Sequence, residues 1–517
     1  MNRRRFILSS TIVVALQTGS SSVLEKAFQS DTAVHDQTLR NRLMRDPLRP
    51  QYHLLPQAGF IGDPCAPRYF RGQYHAFFHG SFGGPGWHHA TSSDLVHWKH
   101  MPIALAPSAN SYDSYGTFTG SVLPSDDGAS VIYTGVTTVP ADQETIQNEG
   151  LREVQCIATS TVDELWTWHK LDKPVIETPP PGVKVTGFRD PFSWKDGDTW
   201  YVGVGSGFPQ IGGAVLLYRS GDARHWEYMH PLAQGTWNGE SSSNPVPSGE
   251  MWECPDFFPL GEKHVLIYST EHTTFWQVGT FDKRKLLFQA ERGGLLDHGA
   301  YYAAKSMIDG KKRRILWGWV QETRSREAIE SAGWSGSMSL PRVLTLGDDN
   351  ELQIEVASEL ASLRTNTVAI HQPHNYNELS NALSRAIIDN RAGEILWSFK
   401  AGNGSCGLDM RLYSKAADSV SVLNITYANR NGKPSVTIGE KILPLSPDTN
   451  GISFVHIWID GSVIETFVDN TKAITTRCYA APEESGEIHV VWTGAVDMLK
   501  SLIISGVKPI SDDRLTT

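Results

Sequence analysis

The chain has few means of cross-linking itself. Its five cysteines, Cys65, Cys156, Cys254, Cys406 and Cys478, are spread through 517 residues and odd in number. That pattern excludes a disulfide framework and offers no zinc-ligand spacing, so neither a metal nor another cofactor is expected. Positive charge is also sparse: 46 Lys and Arg face 56 Asp and Glu, a formal net charge of -10. Without basic clusters to neutralise phosphates, a nucleic-acid partner is not expected. Long apolar runs are missing. The stretch Thr11–Leu16 is too short to span a bilayer, and no later segment approaches the ~18 apolar residues of a spanning helix. Helical periodicity is scarce between Tyr52 and Leu344. What remains is a globular balance, 40% hydrophobic and 20% charged, in a chain long enough for at least two domains.

The start of the chain is the exception to this pattern. Arg3, Arg4 and Arg5 precede the short apolar stretch, an arrangement that resembles a twin-arginine export signal over residues 1–30. The expectation is an exported protein, periplasmic or extracellular, with no membrane attachment after export.

Three acidic motifs organise the first two-thirds: Gly62-Asp63-Pro64, Phe188-Arg189-Asp190-Pro191 and Trp252-Glu253-Cys254-Pro255-Asp256. Asp63 and Asp190 are 127 positions apart, and Asp190 and Glu253 are 63 apart. A second series keeps a similar period: Ser93-Asp94-Leu95-Val96-His97-Trp98, Asp163-Glu164-Leu165-Trp166-Thr167-Trp168 and Gly221-Asp222-Ala223-Arg224-His225-Trp226. Units of about 60 residues, each built of short strands rich in Tyr, Phe, Val and Trp, predict a five-bladed β-propeller over residues 48–345. In that arrangement the motifs, with Phe118-Thr119-Gly120-Ser121 and Asp297–Tyr302, occupy equivalent inner strands. Apolar residues at 356, 360 and 363 predict a linker helix within residues 346–367. Alternating segments return afterwards, including two strands about Asp460-Gly461-Ser462, and predict a β-sandwich over residues 368–511. The fold expected is therefore all-β.

Converging carboxylates are what glycosidic cleavage needs. Asp63, flanked by Gly62 and Pro64, has little local bulk and is assigned as nucleophile. Glu253, between Trp252 and Cys254, is expected to be half-buried beside a second negative charge, which disfavours its ionisation and suits a general acid. Asp190, oriented by Arg189, is expected to accept hydrogen bonds from ring hydroxyls as positive charge develops. Cys254 reads as a packed structural thiol rather than a nucleophile, since no base partner is identifiable.

At these motifs the chain resembles glycoside hydrolase family 32, the invertases, fructanases and fructosyltransferases. The resemblance runs from Arg49 through the Asp63, Arg189-Asp190 and Glu253-Cys254 motifs to Asp297–Ala303, Arg314–Trp319, Gly333–Gly336 and the hairpin at Asp460–Phe467. It implies the same propeller and sandwich, no metal, and retaining attack on β-fructofuranosides by Asp63, with Asp190 as stabiliser and Glu253 as acid/base. It also puts Gly62, His79, Trp87, Phe118, Thr119, Arg189, Asp297 and Trp319 forward as substrate-binding. The chain departs from the usual pattern at Gly62, Cys65-Ala66, His79, Ser81 and Thr119. The partner implied is sucrose or a fructo-oligosaccharide, bound by a monomer or homodimer. A fructosyltransferase would use the same intermediate; an arabinan-type propeller glycosidase and a non-catalytic fructan-binding protein are further alternatives.

Overall fold

A computed structural model describes residues 37–515, apart from 126–128, 146–149, 161–164, 241, 414–418, 446 and 481–485. The expected export signal over residues 1–30 lies outside the described residues. Among those described, no helix is long and apolar enough to cross a membrane.

Five antiparallel sheets succeed one another along the first part of the chain. Their first strands are Gly59–Pro64, Gly116–Leu123, Phe188–Asp196, Glu253–Leu260 and Tyr301–Ile308. The second, third and fourth sheets are simple four-stranded meanders; the first and fifth gain short extra strands, among them Trp334–Ser335 running parallel to Gly59–Phe60. The expected five-bladed propeller is corrected here: each sheet is an open path of strands, and none closes on itself into a ring or barrel. Repeat spacing counts the sheets and phases their first strands, but spacing carries no information on closure. Nor is the chain wholly β, since short helices occupy Gln37–Arg45, Arg326–Ala332 and Tyr376–Leu383.

The first and third Trp-ended repeats are turns between the third and fourth strands of their sheets. The Asp94 carboxylate accepts hydrogen bonds from the backbone N–H groups of Val96 and His97, and Asp222 does the same for Arg224 and His225. Leu95, Leu165 and Ala223 all take left-handed φ at the corresponding position. An Asp that caps its own turn is a local device, and so it was legible as a repeat.

The expected linker helix is also corrected. Leu352–Val356 is a strand of the fifth sheet, and only Ser358–Leu363 winds, as a 3-10 turn. Leu352 and Ile354 alternate inward with period two, whereas Leu360 and Leu363 bury one side of the turn. Taking 356, 360 and 363 as one helical face merged these two periods.

Beyond this, two six-stranded sheets share one core, in which Trp397, Phe399, Tyr427, Ile457 and Trp492 are buried. The hairpin about Asp460-Gly461-Ser462 forms as read, joining Ile452–Asp460 to Val463–Val468. Gly461 has φ +58°, and a Cβ there would meet the Leu48 carbonyl oxygen at 2.6 Å. This tight contact holds the segment entering the first sheet against the hairpin tip.

Candidate active site

Every first strand carries an irregularity at the same place. Pairing slips between Ile61 and Pro64, Phe118 and Gly120, Arg189 and Phe192, Glu253 and Asp256, and Tyr302 and Lys305. A bulge adds one unpaired residue and re-aims side chains that a regular strand would send to opposite faces. Asp190, Cys254 and Ala303 take positive φ there (62°, 48° and 56°), conformations costly for residues with a Cβ. Side chains lock the third bulge. Thr134 Oγ1 accepts from the Asp190 N–H and donates to Gln155 Oε1, while Gln155 Nε2 donates to the Phe188 carbonyl.

The bulges gather the three carboxyl groups. Asp63 Oδ2 accepts a hydrogen bond from Thr119 Oγ1 at 3.2 Å and faces the Cys254 thiol at 3.8 Å. Asp190 Oδ2 accepts from the Cys254 backbone N–H at 2.9 Å and from its thiol at 3.4 Å. Cys254 thus sits between two carboxylates. Burial pushes its thiol well up, with Asp190 and Asp63 adding to the effect, so it stays protonated and acts as a donor.

Glu253 has a different set of partners. Oε1 accepts from Arg189 Nη2 at 2.7 Å and Nε at 3.1 Å, and Oε2 accepts from the Tyr302 hydroxyl at 2.6 Å. The expectation that Arg189 orients Asp190 is corrected by this geometry. The donors of Arg189 go to Glu253 and, through Nη1, to the buried Glu153 at 3.0 Å. The peptide N–H of Cys254 and the strained backbone hold Asp190 instead.

Burial raises Asp63 well above the ordinary carboxylate range, and the negative charges of Asp190 and Glu253 add to the shift, while Thr119 and Cys254 oppose it. Asp190 is raised by burial, with nearby Arg189 pulling the other way. His79 Nδ1 lies 4.0 Å from Asp63 Oδ2. Burial holds that imidazole down at about 4, so across most of the working range it faces Asp63 as a neutral ring rather than an ion-pair partner.

Other expected contacts divide into two groups. His79, Thr119, Gly62 and Arg189 lie in the cluster, and Phe118 packs 6.3 Å from the His79 ring, centroid to centroid. Trp319 packs edge-on against Phe60 in the apolar cluster that includes Cys254 and Tyr302. The buried His79 Nε2 and Trp319 Nε1 have no hydrogen-bond partner among the described residues. Two expected residues belong elsewhere. Trp87 is fully buried and donates its indole N–H to the Phe118 carbonyl, a core position. Asp297 is fully buried and accepts from Arg342, from the Thr475 hydroxyl and from the backbone N–H groups of Gly299 and Thr475. Its acceptors are spent on the junction with the C-terminal sheets. The register equivalent of Glu253 in the fifth sheet is Tyr302, which the sequence reading passed over in favour of Asp297. The available signal was the phase of the bulge: Glu253 and Tyr302 each stand one residue before the bulged Cys254 and Ala303.

Comparison with known proteins agrees with this geometry. Residues 53–355 match the model for the glycosyl hydrolases family 32 N-terminal domain, and residues 359–505 match the family 32 C-terminal model. The chain is 33% identical over 463 residues to a sucrose-6-phosphate hydrolase of Escherichia coli, covering 84% of this chain and 90% of that protein. It is 33% identical over 485 residues to a raffinose invertase of Escherichia coli, covering 83% and 89%. Among solved structures, fructan 1-exohydrolase IIa from Cichorium intybus superposes with a TM-score of 0.71 at 24% identity, over 90% of this chain and 98% of that one, a likeness of fold. The chain belongs to glycosyl hydrolase family 32, and it is a β-fructofuranosidase-like glycoside hydrolase that acts with retention.

Proposed function

We propose that Asp63 is the nucleophile, Glu253 the acid/base and Asp190 the transition-state stabiliser in the cleavage of a terminal fructosyl unit from sucrose or a short fructan. The observation that carries the assignment is the division of donors. Asp63 is held by a hydroxyl and a thiol, weak donors that leave its charge available for attack, while Glu253 is held by a guanidinium and a phenol.

In the first step an Asp63 oxygen bonds to the anomeric carbon as the glycosidic C–O bond breaks, and Glu253 passes its proton to the departing oxygen. In the second, Glu253 takes a proton from water, whose oxygen bonds to the anomeric carbon as the ester to Asp63 breaks. Asp190 accepts hydrogen bonds from sugar hydroxyls, and these strengthen as charge develops on the ring. The unpartnered His79 Nε2 and Trp319 Nε1 support this as a polar-ligand site.

Glucose release from sucrose tests the roles. Asp63→Ala is expected to lose about 10⁴-fold or more, and Glu253→Gln about 10²- to 10⁴-fold. Equal activity in both variants and the parent overturns the assignment. The basic, apolar start supports export. Expressed in bacteria with residues 1–36 intact, the activity is expected in the periplasmic fraction, and retention in the cytosol overturns that reading.

A further inference from the structure

Glu153 is a fourth carboxyl group behind the site, and the chemistry above makes no use of it. It lies on the third strand of the second sheet, Leu151–Ser160, and is fully buried. Its Oε2 accepts the Phe188 backbone N–H at 2.6 Å and its Oε1 accepts Arg189 Nη1 at 3.0 Å. The remaining Arg189 donors go to Glu253 Oε1. One guanidinium therefore bridges two buried carboxyl groups, one in the reacting cluster and one outside it.

We propose that Glu153 is a positioning residue for the acid/base: it fixes the Arg189 fork toward Glu253 and competes for its single positive charge, so that Glu253 keeps its proton. This rests on the assignment of Glu253 as acid/base. A buried cation beside one carboxylate favours the charged form of that carboxylate. Shared between two, it stabilises the ionised form of each less. The charged groups around Glu153 are Arg189 and Asp190. Those facing Glu253 are Arg189, Tyr302, Cys254, Asp63, Asp190 and His272. Burial pushes Glu153 up to about 7, with Arg189 pulling it back, so toward and above that pH it draws as an anion on the same guanidinium.

The test is the pH profile of kcat/KM on sucrose for Glu153→Gln and Glu153→Ala, with Glu153→Asp as the charge-keeping control. Both neutral variants leave Arg189 to Glu253 alone. Their alkaline limb is expected to move about one pH unit toward acid, with KM changed less than about twofold and activity recovered at low pH. The Asp variant is expected to keep the limb in place. An unmoved limb in folded neutral variants, or a loss of equal size at every pH, overturns the proposal. So does failure of both neutral variants to fold, which assigns Glu153 to structure alone. If Glu253→Gln is itself fully active, the acid/base assignment fails, and that outcome is separate from these.

Discussion

Among the described residues, the carboxyl groups at the junction of the sheets and those at the candidate site are built to opposite ends. At the junction between the N-terminal and C-terminal sheets, Asp297, Asp460 and Glu465 meet Arg342 and His53. Arg342 donates to Asp297 and twice to Glu465; the His53 ring nitrogens bond Asp460 and Glu465 at 2.7 and 3.0 Å. Asp460 also accepts the backbone N–H groups of Gln51, Tyr52 and His53. Although burial alone would raise Glu465, Arg342 and His53 hold it down at about 2. Its contribution to stability is therefore complete above the ordinary carboxylate range and is lost as pH falls through about 2. At Asp63 and Asp190 the compensation is incomplete, and burial pushes both the other way. Carboxylates paired with cations hold parts together, whereas under-compensated ones are what a functional site keeps.

Arg342→Ala is the severest way to break this comparison. It strands two buried carboxylates and is expected to cost about 3 to 5 kcal/mol of unfolding free energy, read by denaturant titration, with kcat of the folded fraction within about twofold of the parent. A loss under about 1 kcal/mol would mean that the junction resembles a surface ion pair rather than a structural lock.

Asp63→Asn sharpens the other half, with a smaller effect of opposite sign. The folded state holds Asp63 above its unfolded value, so its stabilising contribution is present at low pH and lost as pH rises through the folded pKa. The amide variant is expected to be more stable than the parent at pH 8, with the gap closing toward pH 4. Thermal unfolding across that range measures it, and an Asn variant no more stable than the parent at any pH removes the contrast.

The same contrast explains how much of the site could be read in advance. Asp63, Asp190 and Glu253 were legible because each sits in a short local motif and the motifs share a phase. Thr119 and His79 followed from position relative to them. Arg189 was named but given the wrong partner, since its direction depends on the bulge and on Glu153 from a neighbouring sheet. Asp297 was misread for a similar reason: its partners Arg342 and Thr475 lie 45 and 178 positions away.

The sequence by itself determined the number and phase of the sheets, the Asp-capped turns, the Gly461 hairpin and the identity of the carboxyl groups that converge, because these rest on local patterns. Tertiary structure alone decided that the sheets remain open paths and that 352–356 is a strand. It also decided that Tyr302 rather than Asp297 meets Glu253, and that Arg189 is shared with Glu153. In a strand, a one-residue slip sends a side chain to the other face. Five bulges of that size choose which neighbours each carboxyl group meets, and those contacts form only between residues remote in sequence.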